Sequence, residues 1–243
     1  DRLWMDGAES RRKFLDRITL SIFSKHAQIY LEYEKALRER NRLLKEQVND
    51  WHWYNALEQQ MASSAISICR NRKKAIELVT ESMKDTTTQF PVAKLELSQI
   101  EGELPTTEEG FSRAFRESRS FDLKRGRTSV GPHRTDLIGT YEEKGIVARD
   151  CSTGEQKALL ISVILANARA VTKIKETPPM VLLDEITAHL DLAARSCLYQ
   201  ELFSLGSQAW MTGTEKQLFQ DLGDKVQLIK VSEEGGLSNV TRG

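Results

Sequence analysis

Apolar residues recur at helical spacing through the first third of the chain. Residues 9 to about 88 are predicted to be helical, and from His26 onward the apolar positions are four or seven residues apart with charged residues between them. These positions are Ile29, Tyr33, Leu37, Leu44 and Val48. Asn49-Asp50 interrupts the pattern, and Asp50 is a suitable N-cap for a second long helix. Two long helices with a short polar connection predict an antiparallel helical hairpin whose apolar stripes form core.

The hydrophobic period then becomes that of short strands. Residues 93–97 alternate between apolar and polar, which is typical of a half-buried strand. Thr107, followed by two glutamates, predicts the start of a helix. Two further strands are expected near 137–141 and 146–149, joined by a hairpin at 143–145.

The last part of the chain alternates apolar strands with helices. Four apolar residues follow Pro178-Pro179 and run into two acids, which predicts a strand buried on both faces. Strands are predicted near 180–185, 208–212 and 226–231, with helices over 158–166 and 192–205. Strand, helix, strand, helix, strand is the order of a parallel α/β layer.

Charge and length narrow the function classes. The chain has 243 residues, enough for one large domain or two modest ones, and its 35 basic and 35 acidic residues give a net charge of zero. Any nucleic-acid binding must therefore come from a local patch. The most basic stretch, residues 113–127, could contact phosphates of DNA or ATP, or could be a solvated helix balanced by nearby acids. The same alternatives apply to residues 11–17.

Cysteine use and the absence of long apolar runs indicate a reducing, cytoplasmic location without a membrane partner. Cys69, Cys151 and Cys197 are odd in number and far apart, so neither a disulfide framework nor a zinc site is indicated. No apolar run approaches the ~18–20 residues of a membrane span. The first residue is Asp1, and we expect the N-terminal part of the natural protein to be missing.

Two motifs carry candidate chemistry. Asp184 and Glu185 end a strand, where open α/β sheets keep their ligands, so Asp184 could hold Mg²⁺ and Glu185 could polarise a water. The alternative is a core strand that ends in a surface turn. Ser152-Thr153-Gly154-Glu155 precedes an apolar helix; small residues, a hydroxyl and a helix N-terminus together suit a phosphate. The alternative there is an ordinary N-cap.

Three motifs occur in an order that resembles the ABC-type ATPases. Residues 151–157 resemble the signature loop of that superfamily, residues 182–185 its Walker B strand, and residues 188–191 its D-loop. Each motif alone is weak, but the three in this order are specific. The resemblance implies an α/β fold.

Within that superfamily the chain resembles the RecF family of bacterial recombination and replication-repair proteins. The matching stretches are residues 11–17, 33–44, 131–137, 151–157, 184–191 and 210–214. This resemblance implies a mainly helical lobe over residues 1–125 and the C-terminal half of an ATPase head over residues 126–243.

The resemblance also implies a site shared by two subunits, with ATP and Mg²⁺ as cofactors. By this match Asp184 contacts Mg²⁺ and Glu185 is the base for the attacking water. Ser152 and Gly154 contact the γ-phosphate in trans. The cofactor-binding residues are then Ser152, Gly154, Glu155, Gln156 and Asp191, with Asp191 at the dimer interface.

The implied function is an ATP-dependent DNA-binding protein of recombinational repair and replication restart that loads recombination machinery at gapped DNA. The implied partners are DNA (single-stranded, double-stranded or gapped), a second copy in an ATP-dependent homodimer, and mediator proteins of the RecR and RecO type. A head from the related chromosome-structure ATPases is disfavoured, because the helical insertion is too short for their coiled coils.

Two departures from the family pattern limit these expectations. The sequence contains no G-x-x-x-x-G-K-[ST] phosphate loop, which in the family lies near the N-terminus. We therefore expect this chain alone to bind ATP poorly, and whether it acts as an enzyme stays open. Thr212-Gly213-Thr214 stands where many ABC ATPases carry a switch histidine, so slow hydrolysis is expected. The alternative function is an interaction or DNA-binding module without nucleotide chemistry.

Overall fold

The computed structural model describes residues 2–85, 88–99, 102–185 and 190–242. The chain divides into two compact units between Pro178 and Pro179. The boundary that we predict after residue 125 lies inside the first unit and stays a prediction. No helix among the described residues combines the length and the apolar character that crossing a bilayer requires.

The predicted helical region consists of three helices. They are α1 (Ala8–Ile22), α2 (His26–Lys45) and α3 (Trp51–Lys84). The helical region is interrupted at Phe23, where the backbone becomes extended. The prediction of one continuous helical stretch missed this break. The predicted cap is confirmed, because the Asp50 carboxylate accepts from the backbone N–H groups of His52 and Trp53 at 3.0 and 3.1 Å.

The α2–α3 hairpin and a fourth helix enclose one of the hydrophobic cores. The hairpin is antiparallel, since Leu44 near the end of α2 packs beside Tyr54 near the start of α3, and Leu37 lies in the cluster that contains Met61. Helix α4 (Glu108–Arg125) is capped by the Thr107 hydroxyl and adds two fully buried phenylalanines. Each buried ring stabilises the lobe by about 1.5–3 kcal/mol.

A small antiparallel sheet in the same unit has the strand order β1-β2-β3. Its strands are β1 (Ala93–Gln99), β2 (Thr135–Tyr141) and β3 (Ile146–Val147). The predicted strand over 146–149 is too long, because the buried Ala148 starts a 3-10 turn that leads to the next helix. Trp4 packs so closely over Gly139 of β2 that a Cβ there would lie 2.5 Å from the ring.

The turn before β2 is fixed by a histidine. Gly131 has φ 132°, and a Cβ at this position would lie 2.3 Å from the Tyr33 hydroxyl. His133 Nδ1 is 2.7 Å from that hydroxyl, and its Nε2 is 3.2 Å from the Thr128 carbonyl oxygen. Burial lowers the pKa of His133 to about 4. A neutral imidazole that donates from Nε2 and accepts at Nδ1 fits these partners.

Helix α5 (Thr153–Lys175) completes the first unit. Its apolar face joins α1, the end of α3 and the sheet in a second core, to which it contributes Leu159, Val163 and Ala166. The predicted buried helix over 158–166 is therefore confirmed, and it extends further in both directions.

The second unit contains a parallel strand pair and a separate hairpin. Strands β4 (Val181–Leu183) and β5 (Ala209–Met211) pair in parallel, and α6 (Leu192–Leu205) lies between them in sequence. A 3-10 segment over Lys216–Lys225 leads to β6 (Ile229–Glu234) and β7 (Leu237–Arg242).

Two predictions for this unit are wrong. Strand β4 is not buried on both faces: Val181 and Leu183 are buried, but Leu182 between them is 72% exposed, as in a strand covered on one side. The strand predicted near 226–231 does not extend the parallel layer. It begins at Ile229 and pairs antiparallel with β7. Gly235-Gly236 between the two strands has φ 61° and 80°, the geometry of a two-residue hairpin turn.

Candidate functional site

The two predicted acids lie at the carboxyl end of β4 and are tied to β5 by one threonine. Thr212 Oγ1 donates to Asp184 Oδ1 at 2.5 Å and accepts from the Glu185 backbone N–H at 2.9 Å. The Thr212 N–H donates to the Leu183 carbonyl at 3.0 Å, which extends the parallel pairing past both strands. Asp184 and Glu185 are both exposed. The sequence indicated the two acids, but only the strand pairing reveals Thr212 as their support.

Glu185 has a backbone conformation that glutamate rarely adopts. Its φ is 50°, in the left-handed region, which costs a non-glycine residue about 1–2 kcal/mol. Such strain persists where surrounding contacts impose it and is frequent at functional sites. The hydrogen bond from the Glu185 N–H to Thr212 is one contact that holds this conformation.

The acid pair fits a magnesium ion that also contacts phosphates. Mg²⁺ prefers oxygen ligands and is commonly held by one or two carboxylates together with phosphate oxygens. Asp184 uses Oδ1 for the bond to Thr212, and in the part of the chain that is described no hydrogen-bond partner is present at Oδ2. Within the same residues no group of three His, Cys, Asp or Glu side chains could hold a metal alone. A shared protein–phosphate site fits both observations.

Asp191 is the N-cap of α6. Its Oδ1 accepts from the Ala194 backbone N–H at 2.8 Å. The predicted D-loop begins at residues 188–189, which lie outside the described residues. What the structure establishes for Asp191 is therefore a helix cap, and its place at a dimer interface stays a prediction.

Ser152 begins α5 through a capping box. Its Oγ accepts from the Glu155 N–H at 3.4 Å, and its own N–H donates to Glu155 Oε2 at 2.7 Å. The Ser152 hydroxyl also donates to Glu155 Oε2 at 2.7 Å. The ordinary-cap alternative is thus confirmed as the resting geometry. A phosphate that binds here would have to accept the hydroxyl hydrogen now given to Glu155.

Lys144 is a member of this cluster that sequence reasoning missed. It forms an ion pair with Glu155, and this hydrogen bond, followed by those from Ser152, lowers the pKa of Glu155 to about 2. The cation offsets the negative charge that Glu155 would present to a bound phosphate. The predicted hairpin at 143–145 was the only sequence signal that could have brought Lys144 near the loop.

The first turn of α5 is open to an anion. Gly154 is exposed, and no atom lies within 4 Å of the position that a Cβ would take. The backbone N–H groups of Thr153 and Gly154 are in the helical turn that has no intrahelical acceptors. With the helix dipole, they can bind a phosphate oxygen.

Gln156 has a structural role in this geometry. Its side-chain amide donates to the carbonyl oxygens of Arg149 and Cys151 at 3.1 and 3.0 Å, and its backbone carbonyl accepts from the Trp4 indole at 3.1 Å. The structure therefore brings Ser152, Gly154, Glu155 and Gln156 together in the first unit. Asp184, Glu185 and Asp191 belong to the second unit.

The fold matches that of two solved structures of recombination mediator proteins. A structure described as the recombination mediator protein RecF with ATPrS in the RecFOR pathway has a TM-score of 0.78 and 21% identity, covering 98% of this chain and 65% of that one. A second, with ATP, has a TM-score of 0.76 and 23% identity, covering 97% and 64%. The class defined by the fold is thus an α/β protein with a helical lobe.

Sequence comparison gives the family. The DNA replication and repair protein RecF of Brucella abortus (strain 2308) is 43% identical over 241 residues, which are 96% of this chain and 62% of that protein. The RecF protein of Rhizobium rhizogenes is 42% identical over 242 residues, 97% and 64% of the two chains. No family model matches the sequence. The chain is a RecF homologue along nearly all of its length, and it spans a little under two thirds of these relatives.

Proposed function

We propose that the intact polypeptide carrying this chain is an ATP-dependent DNA-binding protein of recombinational repair and replication restart. In this proposal ATP binding joins two copies, and the dimer loads recombination machinery at gapped DNA, with mediator proteins of the RecR and RecO type as partners. The supporting observation is the Asp184–Glu185 pair, which Thr212 holds at the carboxyl end of a parallel strand. The names of the relatives and the ATP in the similar structures agree with it.

The proposed chemistry is phosphoryl transfer to water. Asp184 offers the free Oδ2 as a ligand for Mg²⁺, which when bound neutralises charge on the phosphates. Glu185 accepts the proton of the attacking water. Its left-handed backbone conformation fixes the direction in which the side chain leaves the backbone. Phosphoryl transfer depends on positioning and charge neutralisation more than on covalent catalysis.

The signature loop acts, in this proposal, on nucleotide held by the other subunit. The Ser152 hydroxyl and the N–H groups at Thr153 and Gly154 bind the γ-phosphate, and the Lys144–Glu155 pair keeps the loop close to neutral. Gln156 stabilises the turn before the loop through its hydrogen bonds to Arg149 and Cys151. Asp191 lies at the dimer interface in this proposal.

The first test replaces the general base in the intact polypeptide. Glu185→Gln keeps the shape of the side chain but cannot take a proton, so kcat falls by about 10²-fold or more while ATP-dependent dimers and DNA binding persist. Glu233→Gln, at an exposed position of β6, is the matched control and leaves turnover unchanged. Turnover of Glu185→Gln equal to that of the control contradicts the assignment.

The second test concerns the proposed binding of the loop at Ser152 to nucleotide held by the other subunit. Ser152→Arg places a bulky side chain where the partner's nucleotide would sit and should abolish ATP-induced dimers in light scattering. Ser232→Arg on β6 introduces the same residue at an exposed position and should leave the dimers intact. If ATP has no effect on oligomeric state or turnover in the unaltered protein, the alternative of an interaction module without nucleotide chemistry is supported instead.

A further inference from the structure

Three hydrogen-bond donors converge on the Glu155 carboxylate at the start of α5. The Ser152 N–H and the Ser152 hydroxyl both donate to Oε2 at 2.7 Å, and the Lys144 ammonium donates to Oε1. Lys144 lies on the turn between β2 and β3 and Ser152 is the N-cap of α5, so two different segments supply the donors. The arrangement is that of an anion site whose occupant is a carboxylate of the same chain.

These donors favour the negative charge of Glu155. Their hydrogen bonds, that of Lys144 first, lower the pKa of Glu155 to about 2, which means that they stabilise its ionised form. A terminal phosphate presents the same chemical feature, a negatively charged oxygen, and it too is favoured at a helix N-terminus. A phosphate that binds at this turn therefore competes with Glu155 for the same donors.

The Lys144 ammonium has a second contact that does not depend on Glu155. Its nitrogen lies 5.1 Å from the centre of the Tyr141 ring, within the range of a cation–π interaction. A backbone hydrogen bond from the Gly145 N–H to the Tyr141 carbonyl, at 2.8 Å, closes the turn that carries Lys144. We therefore expect Lys144 to stay beside the first turn of α5 when Glu155 moves away.

Glu155 can leave this position without disturbing a hydrophobic core. Its side chain is 29% exposed and that of Lys144 is 46% exposed, so both can rotate into solvent. The neighbouring Gly154 is exposed and has no described atom within 4 Å of the position that a Cβ would take, which leaves room for a ligand. The apolar face of α5, including Leu159 and Val163, holds the helix in the core whether or not the carboxylate moves.

The acids next to Lys144 in sequence do not take the place of Glu155. Glu142 pairs with Lys84 at 3.5 Å, and Glu143 is exposed without an ion pair in the part of the chain that is described. Displacement of Glu155 thus leaves the Lys144 ammonium without its carboxylate partner. An incoming phosphate restores the pairing, because it brings negative charge to the same donors.

We propose that Glu155 is an internal substitute for phosphate, and that the γ-phosphate of nucleotide held by the other subunit displaces it and takes the donors of Ser152 and Lys144. Lys144 is then a phosphate ligand, and Glu155 is a competitor that lowers the apparent affinity of the loop for nucleotide. This inference rests on the proposed function and adds one step to it: the ion pair that keeps the resting loop close to neutral separates when phosphate binds. The step exchanges hydrogen bonds and breaks no covalent bond.

The test uses light scattering of the intact polypeptide to find the concentration of a non-hydrolysable ATP analogue that gives half-maximal dimer formation. Lys144→Met should raise this concentration about tenfold or more, because a charge-assisted hydrogen bond to phosphate is lost. Lys144→Arg keeps a charged donor and should restore part of the affinity. Lys94→Met is the matched control and should change nothing, since Lys94 is an exposed lysine of the same sheet that pairs with Glu96 at 3.0 Å.

Glu155→Gln distinguishes a competitor of the phosphate from a residue that supports its binding. Glutamine keeps the shape and can still accept from the Ser152 N–H in a capping box, but it carries no charge. This variant should form dimers at an analogue concentration about two- to fivefold lower, the range expected for an exposed charge. In the Glu155→Gln background, Lys144→Met should still raise the concentration about tenfold, because its partner in the dimer is the phosphate.

The outcomes distinguish this inference from the proposed function. If Glu155→Gln needs as much analogue as the unaltered protein, or more, Glu155 is not a competitor and the inference is wrong. It is also wrong if Lys144→Met has no effect in the Glu155→Gln background, since Lys144 then acts through Glu155 alone. If the unaltered polypeptide forms no dimer with the analogue, or the same dimer with ADP, the proposed ATP-dependent pairing itself fails, and this inference fails with it.

Discussion

Replacing Arg40 with methionine should destabilise the helical lobe more than any surface change. Arg40 is fully buried, and its guanidinium donates to Glu58 Oε1 (3.1 Å), Asp122 Oδ2 (2.7 Å), Thr128 Oγ1 (2.8 Å) and the Phe115 carbonyl (2.9 Å). Methionine approximates the length of the apolar stem but donates nothing.

The magnitude follows from what the substitution leaves behind. Glu58 keeps Arg119 as a partner, but Asp122, which is also fully buried, loses its cation and, among the described residues, retains hydrogen bonds from Ser118 and Ser129 alone. Removing one member of a buried ion pair typically costs about 3–5 kcal/mol. At about 2–4 °C per kcal/mol for a chain of this size, the midpoint of thermal unfolding should fall by about 6–20 °C.

Urea and thermal unfolding followed by circular dichroism at 222 nm provide the measurement. Arg38→Met is the control: it is the same substitution on the same helix, at an exposed residue without an ion pair in the described part of the chain, and should change stability by less than about 0.5 kcal/mol. Adding Asp122→Asn to Arg40→Met removes the stranded charge and should recover part of the loss. Equal stability of the two arginine variants would refute the reasoning.

Two further predictions concern titration. Lys144→Met should raise the pKa of Glu155 from about 2 toward its ordinary 4.5, because the Lys144 hydrogen bond is the main cause of the lowering; NMR titration of the carboxyl carbon measures it, and an unmoved pKa contradicts it. Since the folded pKa is depressed, the contribution of Glu155 to stability is present above pH 4.5 and is lost as the pH falls toward 2. The pKa of His133 is lowered to about 4, so its contribution is full above pH 6.5 and should fall by about 3 kcal/mol between pH 6.5 and 4. His133→Asn should flatten urea stability over that interval, and an unchanged pH slope would count against the burial argument.

Local sequence patterns predicted helices and strands well where the element has one buried and one exposed face. The apolar stripes of α2 and α3, the caps at Asp50 and Thr107 and the alternation of β1 are confirmed, because each depends on neighbours within a few residues. The exposure of Leu182 and the antiparallel pairing of β6 were missed. A run of apolar residues does not say which face is covered, and strand pairing is set by the turn and by distant segments.

The residues of the candidate site also divide into those that local patterns predict and those that depend on tertiary pairing. Asp184, Glu185 and Ser152 were recognisable because motif spacing places them at a strand end and a helix start. Thr212 and Lys144 were not, since each reaches its partner through tertiary pairing of segments 28 and 11 residues apart. The role of Thr212 depends on the register of β4 with β5, and that of Lys144 on the turn between β2 and β3.

The contact between Trp4 and the first turn of α5 supplies an internal optical reporter. Its indole is 3% exposed and donates to the Gln156 carbonyl, whereas the other three tryptophans are at least 42% exposed. Trp4 should therefore contribute the blue edge of the emission spectrum and resist aqueous quenchers such as iodide. A rearrangement of the turn that carries Ser152 and Gly154 would change this component, so this turn can be followed in real time without attaching a dye.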